Sequence, residues 1–330
     1  MINLSGRNFL KIEDFTPEEI RYLLDSSKKF KKLKKERVDH EYLKGRTIAL
    51  IFEKTSTRTR CSFEVAAYDL GMKVTYLNSS ASQLGNKESV YDTAKVLGRI
   101  YDGIEFRGFK QESVELLGKE AGVPVWNGLT DYCHPTQVLA DFLTMEENFG
   151  HLKGLNLVYM GDARNNISNS LMIMSAKMGV NFTSIAPREL WTSEEVVNKA
   201  KEIAKETGSI IKQSTNPDDL EGADAVYTDV WVSMGEADEL WEKRINLLKP
   251  YQVNKESFSK AKDTAIFLHA LPSFHDLNTT IGQDIYKKYG LTAMEVTNDV
   301  FLSKHSKVFD ESENRMHTIK AVMYETMKDE

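Results

Sequence analysis

Residues 47 to 60 read Thr47-Ile48-Ala49-Leu50-Ile51-Phe52-Glu53-Lys54-Thr55-Ser56-Thr57-Arg58-Thr59-Arg60, an apolar run that gives way to a hydroxyl-rich, basic turn. The helical pattern Phe63-Glu64-Val65-Ala66-Ala67-Tyr68-Asp69-Leu70 follows at once, so the segment reads as strand, turn and helix. At that junction the unpaired amides of the first helical turn, the positive end of the helix dipole, the Ser and Thr hydroxyls and two arginines, Arg58 and Arg60, are expected to converge. Such a turn cradles a phosphate without needing glycine.

Outward from this segment the same alternation recurs along the chain. Candidate strands cover 47–52, 74–77, 104–106 and 124–126 in the first half, and 155–160, 182–185, 210–212, 225–228 and 266–269 in the second. Helices are expected at 58–70, 88–101, 111–121 and 135–149, with another opening at Gly161-Asp162-Ala163-Arg164-Asn165-Asn166 and running to Met178. Short apolar runs separated by amphipathic segments predict parallel sheets covered by helices. At 330 residues the chain exceeds a usual single core, and domains of about 150 residues are the prior. The predicted fold is therefore α/β: two similar domains, each a parallel sheet flanked by helices, joined by interdomain helices. The break is placed near Gly150 to Gly154, giving domains 1–149 and 150–310, with a final helix over 311–330.

Apolar residues make up 41% and charged residues 28% of the chain, a globular balance, and 49 acidic against 43 basic residues leave a net charge of −6. That balance argues against nucleic acid or an anionic membrane as a partner, so any basic site must be local. The densest basic run, Lys28 to Arg37, ends a helix that Thr16, Pro17 and Glu19 begin, and its lysines read as a solvated face. Only Cys61 and Cys133 are present, and the N-terminus lacks a long apolar core, which leads us to expect a reduced, cytoplasmic protein.

Ligands of open α/β sheets bind beyond the carboxyl ends of strands. Five polar clusters fall there: Ser56 to Arg60; Arg107; His134-Pro135-Thr136-Gln137; Asp229 to Glu236; and His269-Ala270-Leu271-Pro272. Cations and neutral donors gather in the first half, Asp229 and Asn166 in the second. An anion bound by one half and an amine by the other is the simplest consequence. Neither Gly-x-Gly-x-x-Gly nor Gly-x-x-x-x-Gly-Lys-Ser/Thr occurs, which gives no indication of a dinucleotide or ATP, and His134 beside Cys133 has no companion ligands for zinc.

Taken together, Ser-Thr-Arg-Thr at 56–59, His-Pro-Thr-Gln at 134–137, Asp-Val-Trp-Val-Ser-Met-Gly at 229–235 and His-x-Leu-Pro at 269–272 resemble the ornithine carbamoyltransferases of the aspartate/ornithine carbamoyltransferase superfamily. The resemblance runs from about Gly6 to Arg315-Met316-His317. It implies carbamoyl phosphate and L-ornithine as substrates, with no metal and no organic cofactor. It also implies that Ser56, Thr57, Arg58 and Thr59 hold the phosphate, that Arg107 bridges phosphate and carbonyl, that His134 and Gln137 contact the carbamoyl group, and that Arg315 completes the site. Gln83 would reach the phosphate of a neighbouring subunit, making the protein a homo-oligomer, a trimer or a multiple of trimers. Asn166, Asp229, Ser233, Met234, Ala270 and Leu271 would hold ornithine. Catalytic roles fall on Arg107, His134, Asp229, His269 and Arg315.

One position departs from the family pattern. Ala270 stands where the motif usually carries cysteine, beside the amino acid substrate, and weaker ornithine binding with retained activity is expected. Two alternatives stay open: a transferase for another amine such as putrescine, which Ser233-Met234-Gly235 disfavours, and a catalytically weak binding homologue, for which Ala270 is the support. Synthesis and breakdown of arginine use the same residues, so the sequence leaves the direction open.

Overall fold

The computed structural model describes residues 2–78, 88–232 and 239–329. The chain forms two compact units, Met1–Leu143 with Glu313–Glu330, and Thr144–Ser312.

The first unit is built on strands β1 (Thr47–Phe52), β2 (Lys73–Asn78), β3 (Gly103–Arg107) and β4 (Val125–Leu129), all parallel and ordered β2-β1-β3-β4. Its helices are α1 (Pro17–Lys35), α2 (Thr57–Asp69), α3 (Val90–Ile100), α4 (Gln111–Glu120) and the start of α5 (Pro135–Phe149). Helix α1 begins as its sequence dictates: the Thr16 side chain accepts from the Glu19 amide, the Glu19 side chain accepts from the Thr16 amide, and Pro17 occupies the first turn. Ile20, Leu23, Leu24 and Phe30 are buried, while Lys32, Lys34 and Lys35 sit in the last turn, where they complement the dipole. The fourth strand starts one residue later than its pattern. Pro124 has no N–H for the ladder, and only its carbonyl joins in, accepting from the Ile104 amide at 2.9 Å.

Strand β3 shows how a fully buried strand can face two environments. Ile104 and Phe106 join an apolar cluster with Ile51, Ala94, Val114, Leu117 and Val125, beneath α3 and α4. Side chains alternate across a strand, so Glu105 and Arg107 point to the opposite face, and both are buried. Burying a side chain the size of Ile104 or Phe106 contributes about 1.5–3 kcal/mol, which anchors the strand that presents Arg107.

The second unit contains β5 (Asn156–Met160), β6 (Asn181–Ile185), β7 (Ile211–Ser214), β8 (Ala225–Thr228) and β9 (Ile266–His269), again all parallel, in the order β7-β6-β5-β8-β9. Around them run α6 (Asn166–Met178), α7 (Glu194–Thr207), α8 (Leu240–Leu248), α9 (Lys255–Phe258), α10 (Thr280–Tyr289) and α11 (Asn298–Phe301). Helix α6 stops at Gly179, whose φ of 72° is the left-handed conformation that favours glycine.

The last helix, α12 (Val308–Met327), starts three residues earlier than the sequence pattern suggests. Its portion in the first unit is tied down by polar contacts. Lys320 Nζ donates to Asp69 at 2.5 Å and lies 3.0 Å from His40 Nε2, Lys31 donates to Asn314 at 2.8 Å, and Ser26 donates to Glu325 at 2.7 Å. The Trp126 indole donates to Thr326 at 3.0 Å. These bonds fix the helix that carries Arg315. Among the described residues no helix is long and apolar enough to cross a membrane.

Candidate active site

Strand order locates the sites before any side chain is considered. In the first sheet β1 is followed by β2 on one side and β3 on the other, so the order reverses between β1 and β3. In the second the reversal falls between β5 and β8. Loops leave in opposite directions at such points and open a crevice at the carboxyl ends of the strands. In the first unit the crevice is flanked by Ser56–Thr59 after β1 and by Arg107 ending β3; in the second it is flanked by Asn165 and Asn166 after β5 and by Asp229 after β8.

In the first unit Ser56 caps α2, its side chain accepting from the Thr59 amide at 3.2 Å. The first turn of α2 holds no acidic residue, so the positive end of its dipole has no local acidic partner. Thr59 is buried, and its hydroxyl accepts from two guanidiniums, Arg107 at 3.3 Å and Arg315 at 2.8 Å. Arg107 comes from β3 and Arg315 from α12, 208 residues later. Burial lowers the Arg107 guanidinium to about 10, with Glu105 opposing that fall and Arg58 adding to it. The group therefore remains a cation at neutral pH.

His134 stands immediately before α5 and is buried. Burial pushes its imidazole well below the ordinary range, and Arg315, Arg107 and Arg58 push it the same way. A neutral ring offers one N–H donor without adding positive charge. Its Nδ1 lies 3.4 Å from the Thr136 hydroxyl. Gln137 is buried one turn further on and donates to Asp141 at 2.8 Å. Thus Arg58, Thr59, Arg107, His134 and Arg315 come together in this unit, with Ser56 and Thr57 at the same helix end.

One of the sequence expectations changes here. Arg60 does not join the cradle: its guanidinium donates to Glu64 at 2.9 Å and lies 3.8 Å from the centre of the Tyr76 ring. One helical position past Thr59 turns its side chain to another face, so Arg107 and Arg315 supply the cations that the local sequence assigned to Arg60. Gln83 lies outside the described residues.

In the second unit Asn165, not Asn166, is the cap of α6, its side chain accepting from the Ser168 amide at 2.8 Å. Its amide nitrogen also donates to Tyr159 at 2.9 Å and to Asp229 at 3.3 Å, tying the loop after β5 to the loop after β8. The sequence reading passed over Asn165; its spacing of three residues to Ser168 is the capping signal that marks it. Asn166 occupies the first helical position, half-buried, and its carbonyl accepts from Ser170. Tyr159 is buried, and its hydroxyl is held well above its usual range by burial and then by the carboxylates of Asp229 and Asp162. It therefore stays a neutral donor.

His269 ends β9 and is buried. Nδ1 accepts from the Leu271 amide at 2.9 Å, which leaves the ring proton on Nε2, 3.2 Å from Glu295. The His269 amide donates to Glu311 at 2.9 Å. Both ring nitrogens are thus committed to shaping the turn 270–272. Ala270 and Leu271 are half-buried there, and Leu271 has a φ of 50°, a left-handed conformation that costs a non-glycine residue about 1–3 kcal/mol. Glu295 also accepts from Ser273 and from the Phe274 amide, at 2.9 and 2.6 Å, which braces the strained turn. Ser233 and Met234 lie outside the described residues. No group of three or more His, Cys, Asp and Glu side chains arranged for a metal occurs among the described residues.

Comparison with known proteins covers both units. Residues 7–147 match the family described as aspartate/ornithine carbamoyltransferase, carbamoyl-P binding domain, and residues 153–326 match its Asp/Orn binding domain. A catabolic ornithine carbamoyltransferase of Treponema denticola is 64% identical over 98% of this chain and 96% of its own length. One from Bacillus licheniformis, also named catabolic, is 56% identical over 99% and 98%. Among solved structures, the ornithine carbamoyltransferase of Pyrococcus furiosus superposes with a TM-score of 0.91 at 41% identity, covering 99% of each chain. With each crevice lying inside its matching domain and identity sustained from end to end, this chain belongs to the aspartate/ornithine carbamoyltransferase family.

Proposed function

We propose that the protein transfers the carbamoyl group of carbamoyl phosphate to the side-chain amine of L-ornithine, giving L-citrulline and phosphate. The observation that carries this reading is the meeting of Arg107 and Arg315 on the Thr59 hydroxyl, at the start of a helix whose first turn contains no acid. Three separate elements there present donors to one small anion.

In the reaction a neutral amine forms a C–N bond to the carbamoyl carbon, negative charge builds on the carbonyl oxygen, and the bond to the phosphate oxygen breaks. Ser56, Thr57, Arg58 and Thr59 hold the phosphate, with Arg315 and, from a neighbouring subunit, Gln83. Thr59, Arg107 and His134 face the carbonyl oxygen, and Gln137 helps hold the carbamoyl amide. Fixed donors of this kind lower the barrier because they do not have to reorganise, and removing one costs about a hundredfold or more in rate. His134, neutral in its buried setting, donates without competing with the arginines for the phosphate charge. The departing phosphate accepts the proton that the amine gives up, so no separate base is required. Asn166, Asp229, Ser233 and Met234 hold ornithine, and Ala270 and Leu271 line its amine end. His269 supports that turn through Leu271 and Glu295.

The same reading makes the protein a cytoplasmic homo-oligomer, a trimer or a multiple of trimers. Relatives at 64% and 56% identity carry the description catabolic, which supports the breakdown pathway as the setting. The test is product formation from carbamoyl phosphate with ornithine, putrescine or aspartate. Citrulline from ornithine alone is expected; product from putrescine in preference would reassign the amine, and none from any amine would overturn the reading.

A further inference from the structure

A central parallel strand buried on both faces is ordinarily apolar throughout, yet β3 carries Glu105 two residues before Arg107. Glu105 is fully buried, and neither of its carboxyl oxygens has a hydrogen-bond partner among the described residues. A carboxyl in that position is costly unless something offsets it. The fold nevertheless makes room for it. A Cβ added to Gly128 on β4 would stand 1.9 Å from Glu105 Oε1 and 3.2 Å from Thr59 Cγ2, and the Gly128 backbone is not in the left-handed region. Space for the carboxyl, rather than backbone conformation, is what requires glycine there.

The charged groups acting on this carboxyl come from several elements. Arg107 lies on β3 itself and Arg315 on α12; Arg58 on α2 acts on Arg107, and His134 ahead of α5 is neutral. The Ile51 backbone on β1 adds a weaker pull toward the charged form. Three guanidiniums against one carboxylate leave the empty site positive, so it attracts a phosphate dianion, and the dianion in turn repels the carboxylate. Once a dianion occupies the site, much of the arginines' field is taken up by it, and the burial cost of the carboxylate weighs more heavily.

We propose that Glu105 is a proton-accepting counter-charge of the phosphate site, balancing the arginines while the site is empty and taking one proton from solvent when a phosphate dianion binds. The proposal rests on the reading of Arg58, Arg107 and Arg315 as the cations that hold phosphate. Glu105 acts through Arg107 and Arg315 as a positioning residue and touches no substrate. Burial already pushes its carboxyl well above the usual range, with Arg107 and then Arg315 opposing, so an anion that takes up the arginines' field pushes it further the same way.

Calorimetric titration of the full-length protein and of Glu105→Gln with inorganic phosphate, over a series of pH values and in buffers of different ionisation enthalpy, counts the protons exchanged. The ligand's own ionisation cancels between the two proteins. The wild type is expected to take up close to one proton more than the variant, and its affinity to fall by about tenfold per pH unit relative to the variant on the alkaline side. Equal proton counts with parallel pH profiles would overturn the proposal while leaving the phosphate site standing. Absence of phosphate binding by the wild type would remove the site reading and this proposal with it. Should Glu105→Gln fail to fold, infrared difference spectra of the wild type decide: a new protonated-carboxyl band on adding phosphate supports the proposal, and its absence overturns it.

Discussion

The two sheets share one design and hold opposite chemistries. Each is parallel, each reverses its strand order once, and each places polar side chains at that reversal. In the first unit these are a hydroxyl-rich helix cap and the guanidiniums of Arg107 and Arg315; in the second they are Asn165, Tyr159 and Asp229. The lesson is that topology fixes where a ligand binds, while the few residues after two strands fix its sign of charge. One fold plan thus places cationic and hydroxyl donors in one unit and a carboxylate with amide and phenol groups in the other.

The largest effect expected from this contrast is that of Arg107→Ala. Removing a buried cation proposed to face the reacting carbonyl should lower kcat/KM for carbamoyl phosphate by about a thousandfold. Steady-state kinetics with each substrate varied in turn checks this, and an effect confined to ornithine would break the proposed division. Next, Asp229→Asn should raise the KM for ornithine by about a hundredfold, the cost of a lost hydrogen bond to a charged group, with carbamoyl phosphate saturation unchanged. Smaller still is Ala270→Cys. Restoring a polarisable thiol beside the amine should lower the KM for ornithine a few-fold, and an unchanged or higher KM would count against the role given to that turn.

The smallest effect is on stability. His134 and His317 both lie in the first unit, and burial is the leading reason that both are held neutral, His317 down to about 4 from 6.5. Their folded forms bind protons less readily than the unfolded chain. The stability they confer is therefore complete above the unfolded value and is lost as pH falls below it, for His317 between 6.5 and about 4. Hydrogen exchange followed from pH 7 downward should show protection declining first in the first unit, and His317→Gln should flatten that slope. Uniform loss across both units would contradict the assignment.

How much of this was legible in the sequence follows from the range of the interactions. The nine strands among the described residues overlap the apolar runs of the sequence, because such a run and the turn residues that bound it are local. The hydroxyl-rich turn before α2 and the capping box of α1 were legible for the same reason, although the cap itself, Ser56, was not singled out. Arg60 misled because adjacency in sequence does not place neighbours on one helical face. Asn165 was passed over for its neighbour at 166; its spacing to Ser168 marks it as a cap, but its bond to Asp229, 64 residues away, is not local. Arg315 came from family resemblance alone; its approach to Thr59 spans 256 residues, and no local pattern encodes that contact. Glu105 left a trace, a charge inside an apolar strand, whose meaning depends on the missing side chain of Gly128.

The central claim is that the first unit binds the carbamoyl donor and the second the amine. Calorimetric binding of phosphonoacetamide, a stable stand-in for carbamoyl phosphate, to Arg107→Ala and Asp229→Asn tests it most directly. Binding should vanish in Arg107→Ala and persist at wild-type strength in Asp229→Asn; loss in Asp229→Asn with retention in Arg107→Ala would contradict the account.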